Sequence, residues 1–203
     1  ERQGTVTWED TTASSIHPRM ALWRGDITRL EVDAIVNAAN SALLGCRAPG
    51  HTCIDNAIHS AAGLELRQAC AEVMAERTRG DCPSGFPTGE AVLTPGFHLP
   101  SRFVIHTVGP IVNGELTDEH REALACSYQR CLEEAAAHGL NTVAFCCIST
   151  GVFGFPQEEA ARIAVATVTD FLESEAPGAS ELCVIFDVFG DHDEALYRAL
   201  LGL

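Results

Sequence analysis

The stretch Thr142-Val143-Ala144-Phe145-Cys146-Cys147-Ile148-Ser149-Thr150-Gly151-Val152-Phe153-Gly154-Phe155-Pro156 runs from an apolar segment, through a loop with two glycines, to a proline. Residues Thr142 to Cys147 form the continuous apolar run of a strand covered on both faces. Pro156 opens a helix to Glu173, at a position where its missing N–H is not needed. Between them, Gly151 and Gly154 let the backbone approach a ligand closely or take positive φ. Successive N–H groups in such a turn make an anion-binding hollow, reinforced by the following helix dipole. The loop lacks the Gly-Lys-Ser/Thr ending of an ATPase phosphate loop.

Outward from this unit, the chain alternates strands and helices. Short strands are read at Ala21 to Arg24 and Ala34 to Asn37, then Gly89 to Thr94 and Phe103 to Val108, the last two joined by a turn at Pro95-Gly96. A final strand is read at Glu181 to Val188. Ile54 to about Arg77 is helical with a break near Gly63, because Ile54, Ala57, Ile58, Ala61 and Ala62 recur at helical spacing. Asp118 to His138 and Asp191 to Leu203 are the remaining helices, the first ended by Gly139. The pattern predicts an α/β fold, a three-layer α/β/α sandwich around a mixed, largely parallel sheet. At 203 residues it reads as one domain, 1–203, with 1–20 as an N-terminal extension.

Composition narrows the partners. Lys and Arg number 13 against 28 Asp and Glu, a formal charge of −15. A nucleic-acid surface needs clustered cations and is excluded. No apolar run reaches the roughly 18 residues of a membrane span. The first thirty residues carry no basic start followed by an apolar stretch, so the expectation is a cytoplasmic protein without a secretory leader. The net charge favours a monomer. The odd count of nine cysteines argues against a disulfide framework. Cys70, Cys126, Cys131, Cys146, Cys147 and Cys183 read as small buried hydrophobes.

Three further segments carry chemistry. Gly25-Asp26-Ile27-Thr28 follows a strand end. Asp26 is either a helix N-cap or a carboxylate accepting from a base amine, with the Ile27 N–H donating to a ring nitrogen. Asn37-Ala38-Ala39-Asn40-Ser41 places two amides at a strand's carboxyl end, for polar recognition or local capping. Cys46, His51 and Cys53 then supply three ligands in eight residues, enough to hold Zn2+ with one position open, as in catalytic sites. The competing readings are a Cys46–Cys53 disulfide, or a closed structural site completed by Cys82 or His59. His59 otherwise reads as a structural hydrogen-bonder, and His106 as a core histidine.

Gly-Asp-Ile, Asn-Ala-Ala-Asn, Ile58-His59-Ser60-Ala61-Ala62-Gly63 and Ile148 to Gly154 stand in this order, with Gly89-Glu90-Ala91 and Val104-Ile105-His106-Thr107-Val108-Gly109-Pro110 between them. From about Trp23 to the C-terminus this resembles the macrodomain family. The run Leu43-Leu44-Gly45-Cys46-Arg47-Ala48-Pro49-Gly50-His51-Thr52-Cys53 replaces the usual glycines and resembles the microbial zinc-dependent class. That class is found in some cases beside a sirtuin-type ADP-ribosyltransferase.

The resemblance implies a cleft for ADP-ribose. Asp26 and Ile27 would bind adenine, and Phe189 would stack on it, with Phe186 as a substitute. Ser149, Thr150, Gly151, Val152, Phe153, Gly154 and Phe155 would wrap the diphosphate and distal ribose. Asn40 would contact the distal ribose, and Asp55 matches an aspartate that is catalytic in zinc-free relatives. Cys46, His51 and Cys53 would hold the zinc. The implied activity is zinc-dependent removal of mono-ADP-ribose from Asp or Glu side chains of modified proteins. The alternatives are a non-catalytic reader of ADP-ribosyl marks and a deacetylase of O-acetyl-ADP-ribose.

Overall fold

The computed structural model describes residues 4–46, 51–78 and 85–203. Seven strands form one sheet: β1 (Thr12–Ala13), β2 (Met20–Arg24), β3 (Ala34–Ala38), β4 (Ala91–Pro95), β5 (Phe103–Thr107), β6 (Thr142–Phe145) and β7 (Cys183–Val188). Their order is β1-β2-β7-β6-β3-β5-β4. The five central strands run parallel, and β1 and β4 are antiparallel edges. The helices are α1 (Ile54–Ala62), α2 (Leu64–Thr78), α3 (Asp118–Ala137), α4 (Gln157–Glu173) and α5 (Asp191–Leu201).

The central strands are short and apolar because helices cover both faces. Ile35, Val36, Ile105, Val143, Ala144, Val184 and Ile185 are fully buried. Helices α3, α4 and α5 pack against one another in succession, while α1 and α2 form a separate pair against β3 and β4. The result is the expected three-layer α/β/α architecture.

Some element ends differ from expectation. Strand β6 stops at Phe145, and Cys146 and Cys147 lie just past it, facing the site. The fourth strand starts at Ala91, since Gly89 takes a φ of 84° and turns the chain before it. Edge strand β1 was not foreseen; its two residues are too few to show a pattern. Cys126 is a correction: it lies on the exposed side of α3 instead of the core; Cys147 and Cys183 are only half-buried, while Cys70, Cys131 and Cys146 are buried.

Candidate functional site: a nucleotide cleft with a Cys-His-Cys loop

The carboxyl ends of β2, β3, β6 and β7 open into one cleft of about 1420 Å³. Ligand sites in open α/β sheets form at this edge, where crossovers leave to opposite faces. Asp26 and Ile27 line it from the turn after β2, Asn40 from the turn after β3, and Asp55 from α1. Ser149 to Phe153 line it from the loop after β6, and Phe189 from the end of β7. Cys46, His51 and Cys53 also line it.

The loop after β6 is closed by its own backbone. The Gly154 N–H donates to Gly151 O and the Phe155 N–H to Ser149 O, both at 3.0 Å. These two N–H groups therefore shape the turn, and the Phe155 ring is buried in the core behind it. Thr150 Oγ1 donates to Cys147 O at 3.1 Å. Ser149 adopts a φ of 66°, uncommon for a residue with a side chain. Such strain concentrates at ligand sites. Its hydroxyl is buried and unpartnered among the described residues. Gly109 makes room for it, since a Cβ there would stand 2.1 Å from Ser149 Oγ.

A chain of polar side chains supports the middle of the cleft. Asn37 and His106 are register partners on β3 and β5, so they share a sheet face. Asn37 Nδ2 donates to Asp55 Oδ1 at 2.8 Å and lies 3.1 Å from His106 Nδ1. Burial, helped by His59, holds the His106 pKa down at about 3, so the ring is neutral. With Nδ1 accepting from the amide, the ring proton sits on Nε2, 2.9 Å from Thr94 Oγ1. Asp55 is buried in the first turn of α1, where the helix dipole favours a carboxylate. Asn40 Nδ2 reaches Asp55 Oδ2 at 3.4 Å, and Asn40 Oδ1 accepts from the Ala42 N–H.

His59 departs from expectation. Its Nε2 stands 3.5 Å from Asp55 Oδ1, and neither ring nitrogen has a hydrogen-bond partner among the described residues. Burial lowers its pKa. His59, Cys70 and His106 also cluster closely enough for a metal. Burial raises the Cys70 thiol to about 12, and both His106 nitrogens are engaged. In that cluster His106 is hydrogen-bonded to Asn37 and Thr94, while His59 makes no hydrogen bond among the described residues.

The Cys46, His51 and Cys53 ligand atoms all lie within 4.8 Å of one another. Cys46 Sγ and His51 Nδ1 are 3.4 Å apart. Zinc bonds of about 2.3 Å to sulfur and 2.0–2.1 Å to nitrogen, at tetrahedral angles, place such atoms about 3.6 Å apart. The donor set and spacing fit zinc. Both thiols are free, without a disulfide among the described residues. Burial pushes the Cys53 thiol up, with Cys46 adding to it, a penalty that a cation on the thiolates would relieve. No fourth His, Cys, Asp or Glu joins the trio among the described residues. Cys82 lies outside them, and His59 belongs to the other cluster.

At the base end, Asp26 does cap the turn Ile27–Arg29, with Oδ1 accepting from the Thr28 N–H at 3.0 Å and from Thr28 Oγ1 at 2.7 Å. It also lines the cleft. Phe189 is 79% exposed at the rim, a free aromatic face. Phe186 is buried against Tyr197, ring centroids 5.2 Å apart, and is no substitute for it. Sequence reading passed over Asp187, which also lines the cleft. The available signal was an aspartate inside a strand, where that residue is disfavoured.

Fold and cleft together are those of a Macro domain. The model of that family matches residues 36–164, and the chain belongs to it. The protein-ADP-ribose hydrolase of Treponema medium is 53% identical over 181 residues, 89% of this chain and 66% of the relative. That of Staphylococcus aureus (strain MSSA476) is 48% identical over 178 residues, 87% of this chain and 64% of the relative. The chain thus spans just under two thirds of the length of these relatives. The Trypanosoma brucei macrodomain in complex with ADP-ribose superposes with a TM-score of 0.79 at 38% identity, over 98% of this chain and 78% of that one.

Proposed function

We propose that this protein is a hydrolase that removes mono-ADP-ribose from Asp and Glu side chains of modified proteins, with zinc held by Cys46, His51 and Cys53. One observation carries the reading. The Cys-His-Cys trio lines the same cleft as Asn40, Asp55 and the Gly-rich loop after β6. The names of the relatives and the ADP-ribose complex of a related fold support the ligand class.

In this reading the diphosphate sits on the backbone of Gly151 to Phe153, against the N-terminus of α4. Adenine lies on Phe189 with its amine on Asp26. That orientation brings the distal ribose to Asn40 and Asp55. The Asp55 carboxylate, aimed by Asn37, takes a proton from an attacking water. Asn40 holds a ribose hydroxyl. When bound, the zinc supplies a Lewis acid and lowers the pKa of water. The carboxylate released from an acyl ester is a good leaving group, which favours acidic-residue linkages. A sirtuin-type transferase in a reducing cytoplasm would write the mark that this enzyme, acting as a monomer, removes.

The test is turnover of Glu- or Asp-linked against Ser- or Arg-linked ADP-ribosyl peptide, with the metal content of the same samples measured. Selective cleavage of the acyl esters by zinc-loaded protein is expected. Unchanged cleavage after complete zinc removal would take the metal out of the mechanism. ADP-ribose binding with no turnover of any linkage would make the protein a reader.

A further inference from the structure

Asp187 is 6% exposed, and its Oδ1 has no hydrogen-bond partner among the described residues. Its side chain nevertheless lines the cleft. Asp187 is on β7 and Phe189 is the first residue past that strand, and both line the cleft. Phe186 packs on Tyr197 of α5 instead. This end of β7 thus gives the cleft a buried carboxyl and an exposed aromatic.

Among the described residues, the groups set against it are acids and thiols. Asp26 comes from the turn after β2. Cys146 and Cys147 come from the segment after β6, and the Cys147 thiol donates to Asp187 O at 3.8 Å. Asp193, on α5, is held by Gln157 Nε2 at 2.9 Å. The neighbouring cation, Arg24, is engaged with Asp191 at 2.6 Å and Glu194 at 2.7 Å. Burial first, and then the Asp26 charge, push the Asp187 carboxyl well above the usual range. A buried carboxylate without a cation is costly, so the group keeps its proton and presents an O–H donor.

We propose that Asp187 is a base-recognition residue that donates a hydrogen bond from its carboxyl O–H to a ring nitrogen of adenine. Asp26, with Oδ1 already turned to Thr28, offers its other oxygen to the exocyclic amine. The two side chains together present one donor and one acceptor. Adenine, with an amine and bare ring nitrogens, satisfies both; a 6-oxo purine would set its carbonyl against the Asp26 carboxylate. The inference rests on the reading that the cleft binds ADP-ribose.

Calorimetric titration of ADP-ribose into wild type, D187N and D187A between pH 5.5 and 8.5 tests it. The D187N amide keeps a donor of the same shape and cannot ionise. It should bind at pH 6 as wild type does, while D187A should bind about tenfold more weakly, the worth of one hydrogen bond. Wild-type affinity should be level or fall as pH rises. Two results overturn the proposal: D187A binding as tightly as wild type, or D187N binding weakly while wild-type affinity climbs with pH. The latter would make Asp187 an ionised acceptor. Thermal melts of both variants separate lost contact from lost fold. If wild type itself binds no ADP-ribose, the ligand reading falls, and this inference with it.

Discussion

The amide of Asn37 donates to the carboxylate of Asp55 at 2.8 Å, tying the carboxyl end of β3 to the first turn of α1. Through its second N–H the same amide reaches His106 on the neighbouring strand. The arrangement holds a carboxylate at a set angle to whatever occupies the cleft.

Asn37→Ala should therefore separate binding from turnover. ADP-ribose affinity by calorimetry should change little, while kcat on a Glu-linked substrate falls at least tenfold, because a base out of line loses much of its general-base contribution of about 10²–10⁴. The His106 Nδ1 left unpaired should lower stability by about 1–3 kcal/mol, read from urea unfolding. Equal losses in kcat and binding would show that Asn37 is only structural.

His51→Ala and Cys46→Ala should each abolish stoichiometric zinc, measured by plasma mass spectrometry, and ester cleavage with it. Both residues are half-exposed at the cleft wall, outside the core. The variants should keep the wild-type far-ultraviolet dichroism and still bind ADP-ribose. Full cleavage by a zinc-free variant would end the metal's role.

Gly109→Ala should distort the phosphate loop from behind. Its Cβ would meet Ser149 Oγ at 2.1 Å and Ile148 Cγ2 at 2.6 Å. Overpacking of this kind costs roughly 1–3 kcal/mol. Adding Ser149→Ala should recover part of that loss, because one of the two clashes disappears. A double variant no more stable than Gly109→Ala alone would place the strain elsewhere.

Two buried groups give opposite pH responses in stability. His106 is held near 3, against about 6.5 when unfolded, so the unfolded chain takes up the extra proton. Its contribution is complete above pH 6.5 and is lost as pH falls toward 3. Asp187 is raised when folded, so its contribution is complete below about 3.9 and is lost as pH rises. Asp187→Asn should thus raise the melting temperature at pH 7 more than at pH 5. A gain that shrinks as pH rises would contradict the buried, protonated carboxyl.

Much of the fold and part of the cleft were legible in the chain. Strand β3 with Asn37 in it and Asn40 just past it, the Gly-rich turn before α4, and the Cys-His-Cys spacing are local patterns, set by residues close in sequence. Boundaries were less legible at β6, where Cys146 and Cys147 are as apolar as the strand yet face the cleft. Exposure of Cys126 was illegible too, since a cysteine fits either side of an amphipathic helix.

By itself, the sequence determined the alternation of strands and helices and which short segments carry polar chemistry, because periodicity and turn residues act over a few positions. Only the tertiary structure decided which of those segments meet. Asn37 finds His106 across a strand pair. Asp187 loses water among Asp26, Cys146 and Cys147. Phe186 packs into the core on Tyr197, while Phe189 stays exposed at the cleft. Such outcomes depend on burial and on strand order, which bring together groups tens or hundreds of residues apart.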